Sequence, residues 1–111
     1  MWIMVSGPYT AGARGGSERA AHLRSMNEAA VAVFRMGHLP IIGVNLALPM
    51  IDAAGGAYDE IMLPVSLELA ERCDACLRVG GPSRGADLEV ERFRALGRPV
   101  YSRVEDIPPA Q

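Results

Sequence analysis

Short apolar runs in this chain alternate with longer amphipathic stretches, and a glycine or proline stands at almost every junction. Trp2–Ser6 is a buried-strand pattern halted by Gly7-Pro8. The glycine-rich stretch Thr10–Gly16 then leads into a helix, with Ser17 placed to cap it and Gly37 to stop it. Leu23, Met26, Ala30, Val33 and Phe34 share one face of that helix. Leu39–Val44 reads as a second strand, whose Pro40 is tolerable only near the strand start or on an edge. Asn45–Gly56 is apolar yet interrupted by Pro49 and Gly55-Gly56, which suits either a short helix capping the core or a loop roofing a pocket.

The pattern then repeats. A helix from Asp59 turns Met62, Val65, Leu69 and Cys73 inward, and Ala75–Val79 is the third strand. Gly80-Gly81-Pro82 turns the chain, Ser83 caps a helix running to Leu96, and Gly97 ends it. Arg98–Ser102 is the fourth strand, and a last turn covers Val104–Ile107. Such alternation calls for a single α/β domain over residues 1–111, a three-layer sandwich with four to five parallel strands and helices on both faces. Ligands of such sheets sit at the carboxyl ends of the strands, here Ser6-Gly7-Pro8-Tyr9, Asn45 and Gly80–Gly85.

Composition removes several chemistries. All 11 basic residues are arginine, so no lysine is present to grip a nucleotide phosphate, form a Schiff base or pair with a serine nucleophile. Residues 1–51 carry four Arg against two Glu, and residues 52–111 carry seven Arg against eleven acids; +2 and −4 give the net −2. That balance, with no basic stripe, argues against a nucleic-acid partner. No apolar run is long enough to span a bilayer, and the two cysteines are too few for a disulfide framework. A cytoplasmic domain without a membrane partner is the expectation. Cys73-Asp74-Ala75-Cys76 spells C-x-x-C but straddles a helix-to-strand junction, and neither His22 nor His38 has metal-ligand spacing to it, so neither metal nor cofactor is expected.

One acid breaks the amphipathic pattern. The inner stripe of the third main helix is Ala86, Val90, Phe93 and Gly97, and at about 100° per residue Glu89 falls beside it. Asp87, Glu91, Arg92 and Arg94 point outward. A carboxylate is thereby directed at the sheet, beneath the loop where a ligand would sit. The alternative is a Glu that reaches the edge and pairs with an arginine such as Arg78.

The run Pro82-Ser83-Arg84-Gly85-Ala86-Asp87-Leu88-Glu89, with Leu96-Gly97-Arg98-Pro99-Val100 after it, resembles the nucleoside 2-deoxyribosyltransferase-like superfamily. Its Ser-x-Gly-x-x-x-Glu spacing is similar to the branch of deoxynucleoside 5′-monophosphate N-glycosidases. Ser6-Gly7-Pro8-Tyr9, Met36-Gly37-His38 and Cys73-Asp74-Ala75 fit as well. The resemblance implies a flavodoxin-like fold with Trp2–Ser6 central and Leu39–Val44 beside it. It implies Glu89 as a nucleophile on the anomeric carbon of a nucleoside or nucleotide. Ser83 and Gly85 would hold the 5′ phosphate or hydroxyl, with Gly7, Pro8 and Tyr9 lining the sugar; Asn45 joins them as a strand-end candidate. A homodimer or higher assembly is implied too, with the apolar 45–54 segment as a contact.

The chain also departs from its resemblance. Deoxyribosyltransferases carry an Asp where this chain has Ser83, which favours the phosphate-binding branch. The hydrolases place a second acid at the position of Ser66, so that acid is missing here or is supplied by Asp59 or Glu68, with Asp59 and Asp74 the nearest candidates to protonate the leaving base. Gly80-Gly81-Pro82 with Gly85 and Glu89 is distantly similar to the lonely-guy phosphoribohydrolases, which would make the sugar a ribose. A non-catalytic nucleotide-binding module is the reading from a different class.

Overall fold

A computed structural model describes residues 1–110. The elements are β1 (Trp2–Ser6), α1 (Gly16–Arg35), β2 (Leu39–Ile41), α2 (Gly43–Ala53), α3 (Tyr58–Arg72), β3 (Ala75–Arg78), α4 (Arg84–Ala95) and β4 (Val100–Tyr101), with a 3₁₀ turn at Val104–Asp106. The four strands form one parallel sheet in the order β2-β1-β3-β4. This is a flavodoxin/Rossmann-like three-layer fold, parallel as the alternation predicts, with β1 internal and β2 beside it. The order changes direction around β1 and β3, whose carboxyl ends frame the crevice where such folds bind ligands.

Strand alternation sorts side chains between the two cores. Ile3 and Val5 of β1, with Ala75 and Leu77 of β3, pack under α1 against Met26, Val33 and Ile107. Met4 and Cys76 face the opposite way, onto Ala70, Val90 and Phe93 of α3 and α4. Ser6 and Arg78 share the parity of Met4 and Cys76, so the ends of β1 and β3 direct a hydroxyl and a guanidinium to the α3–α4 side.

Several local readings need correction. β2 stops at Ile41 rather than Val44: Pro40 cannot donate to a ladder, β2 lies on the edge, and Ile42 already serves as the extended N-cap of α2. The 45–56 segment is accordingly helical as far as Ala53, the first of its two readings, and Asn45 lies inside a helix instead of at a strand end. Gly43 and Ala47, one turn apart, are its buried residues, and α2 rests on α3. On α3 the buried stripe is Met62, Ser66 and Ala70, displaced by one from the expected Val65 and Leu69. Phe34 is 65% exposed, Gly97 is an exposed left-handed helix stop, and Ser17 makes no cap because α1 begins at Gly16. The fourth strand shrinks to two residues. Among the described residues no helix is long and apolar enough to cross a membrane.

Candidate functional site

A cavity of about 170 Å³ opens at the carboxyl end of the sheet, between α3 and α4. Gly7 and Tyr9 from the turn after β1, Ser66 from α3, and Ser83, Gly85 and Glu89 from α4 and its cap all line it. Five of the seven residues singled out by sequence therefore meet in one cleft. Pro8 and Asn45 do not.

The turn explains Pro8. Gly80 has φ +75°, and a Cβ there would come within 2.7 Å of Pro8 Cδ. Buried Pro8 thus packs against Gly80 on the far wall, in a neighbouring depression that includes His22. His22 Nδ1 donates to Tyr9 O at 2.8 Å, tying α1 to the turn. Gly7 allows the same close approach: a Cβ on it would lie 2.9 Å from Val79 O. Asn45 is exposed and spends its amide on Asn27 Oδ1 at 2.9 Å, linking α2 to α1. Its neighbour Val44 borders the cavity instead.

Glu89 is only 8% exposed. The helical spacing that set it beside Ala86, Val90 and Phe93 is realised, and these four are the buried residues of α4. Ser6 Oγ donates to Glu89 Oε1 at 2.6 Å. Burial pushes the carboxyl up to about 7, while the hydroxyls of Ser6 and Ser66 and the charge of Arg78 pull it back down. Arg78 makes no ion pair with Glu89. Its guanidinium donates to Val79 O and to Gly81 O and lies 3.6 Å from Asp87, bracing the Gly80-Gly81-Pro82 turn against α4.

Ser83 caps α4 as expected, its Oγ accepting from Ala86 N at 3.2 Å. The cap leaves the hydroxyl proton of Ser83 available to a ligand beside the helix N-terminus. A second cavity of about 350 Å³ shares Tyr58, Arg84 and Gly85 with the first and adds Asp59 and Leu88. Asp59 is thus the one candidate second acid that borders the site. Asp74 Oδ2 accepts from Trp2 N at 2.7 Å at the opposite, amino end of the sheet, and Glu68 faces Arg72 at 3.7 Å on the outer side of α3.

Three contributors receive no individual role from the sequence: Tyr58 and Arg84, which line the cavity, and Ser6, which holds Glu89. Tyr58 and Arg84 announce themselves by no pattern, since they depend on how α3 and α4 splay. Ser6 was detectable, because period-two alternation assigns it to the face of Met4. The cysteines stand apart from this chemistry: Cys73 and Cys76 are buried and unpaired, and burial pushes their thiols up to about 11 and about 12. No protein-family model matches this chain, and no curated protein matches it significantly.

Proposed function

We propose that this protein cleaves the N-glycosidic bond of a (deoxy)nucleoside or its 5′-monophosphate, passing the sugar to water or to another acceptor, with Glu89 as nucleophile. The observation that carries the reading is a buried carboxyl directed into a cleft whose rim is a serine-capped helix N-terminus. An oxocarbenium-like transition state needs negative charge close to the anomeric carbon, and a phosphate needs the donors of that helix end. Glu89 would form a bond from a carboxylate oxygen to C1′ as the C1′–N bond breaks. The bonding pair leaves with the base nitrogen, which takes up a proton from Asp59 or solvent. A water oxygen then bonds to C1′ as the C1′–O bond to Glu89 breaks, its proton passing to the Asp59 carboxylate or to solvent, and the Glu89 carboxylate is restored.

A non-catalytic nucleotide-binding module is the second reading, favoured by one observation: among the described residues, Glu89 is the only carboxylate lining the inner cavity. Incubation with a panel of deoxynucleoside and nucleoside monophosphates, with free base resolved by chromatography, separates the two. Released base supports the enzyme. Thermal stabilisation by one nucleotide with no base from any supports the binding module. A homodimer or higher assembly belongs to the same proposal, supported by Leu46 and Met50, which are exposed on α2 beside the groove it forms with α3.

A further inference from the structure

Ser6 is the last residue of β1 and only 1% exposed, and its hydroxyl has two acceptors within reach. Glu89 Oε1 lies at 2.6 Å and Ala86 O at 3.4 Å, both one side of α4. A serine hydroxyl donates one hydrogen and accepts others, so this one can serve a carboxylate strongly and a carboxylic acid more weakly. Toward ionised Glu89 it donates. Toward protonated Glu89 it accepts from the acid and turns its own hydrogen to Ala86 O.

We propose that Ser6 is the positioning residue for Glu89: its hydroxyl holds Oε1 at the end of β1 and leaves Oε2 as the oxygen presented to substrate. The proposal rests on the glycosidic reading and specifies which carboxylate oxygen attacks and what aims it. Without the hydroxyl, the carboxylate loses a charge-assisted bond on the side of Ser6, which is 1% exposed and does not line the cavity. Its orientation and its ionisation then both suffer. The other polar and titratable groups facing Glu89 are Arg78 and Cys76 from β3, and Ser66 and Cys73 from α3. Cys73 and Cys76 keep their protons near neutrality, so Arg78 is the one full charge among them and is present in every Ser6 variant.

The test compares wild type, Ser6→Cys and Ser6→Ala in the whole protein. Carbon-13 NMR follows the Glu89 carboxyl through a pH titration, its resonance assigned by its absence from Glu89→Gln. The expected result is an upward shift of the Glu89 midpoint in Ser6→Ala and a smaller one in Ser6→Cys, whose thiol is a weaker donor. Turnover on the most reactive nucleotide should fall in the same order. For Ser6→Ala the fall is about tenfold to a hundredfold in kcat, with KM nearly unchanged and the acidic limb of the rate profile moved upward. An unmoved Glu89 midpoint in a folded Ser6→Ala protein overturns the proposal. So does a rise in KM with kcat intact. Should wild type release no base, the glycosidic reading fails on that ground, while the NMR midpoint still decides whether Ser6 governs Glu89.

Discussion

A Cβ placed on Gly43 would lie 2.3 Å from Ser66 Oγ, so the first turn of α2 rests directly on the hydroxyl that faces the cleft from α3. Ser66 is 5% exposed, and its Cβ and Cα would also lie 3.1 and 3.3 Å from the added atom, so turning the hydroxyl into the cleft relieves only part of the overlap. Gly43→Ala is therefore expected to force α2 away from α3 or to turn the Ser66 side chain toward Glu89. Overpacking of this kind costs about 1–3 kcal/mol. For a domain of this size each kcal/mol lowers Tm by about 4–8 °C. Calorimetry on Gly43→Ala checks it; an unchanged Tm would show that the α2–α3 seam yields without strain.

That contact also shows what sequence patterning can and cannot deliver. The alternation of apolar runs with glycine and proline stops specifies a parallel α/β sheet, because each strand end and helix stop is marked locally. Glu89 is legible for the same reason: the period of α4 is uninterrupted from Ala86 to Phe93. The seam between α2 and α3 is not legible. Gly43 reads as part of a strand until the bulk of Ser66 is known to lie opposite it. The expected α3 stripe holds at Met62 and Cys73 and partly at Leu69, which packs at the edge of the core, but a one-residue rotation gives the buried places between them to Ser66 and Ala70, and Pro64 blurs the period. Asn45 lost its expected place once β2 ended three residues early.

Glu89 links stability to pH. Its carboxyl rises from 4.5 in the unfolded reference to about 7 in the folded protein, so the folded state holds a proton that the unfolded chain releases between those values. Stability from this group is fully present below about 4.5, declines as pH rises toward about 7, and is level above. Glu89→Gln cannot ionise. It should match wild type in acid and exceed it above neutrality by a margin on the order of 3 kcal/mol. Urea melts at two pH values measure that margin. A wild type that gains on Glu89→Gln as pH rises would reverse the sign.

Ser83→Ala removes one hydroxyl donor beside the N-terminus of α4 and one cap acceptor for Ala86 N. The expected outcome is a loss of about 1 kcal/mol in stability from the cap. Affinity should weaken selectively for phosphorylated ligands, with their unphosphorylated counterparts nearly unaffected. Calorimetric titration with a matched nucleoside and nucleoside monophosphate reads the difference. Equal weakening of both would remove Ser83 from phosphate binding.

Leu46 and Met50, one turn apart on α2, are 50% and 46% exposed and border a shallow groove with Val65 and Leu69 of α3, which is where a second copy would pack. Light scattering at working concentration should report a dimer or larger assembly, and Met50→Glu should shift it toward the monomer. A monomeric wild type would contradict this.

The central claim is that Glu89 performs the chemistry. Its most direct measurement is the initial rate of base release by wild type and by Glu89→Ala, on the best nucleotide, at equal folded concentration and pH above neutrality. The account predicts release by wild type that grows as pH passes about 7, where the carboxyl ionises. It predicts release by Glu89→Ala lower by about a thousandfold or more, with the fold intact and Tm not lowered. Base release by a folded Glu89→Ala protein at a rate near that of wild type would contradict it.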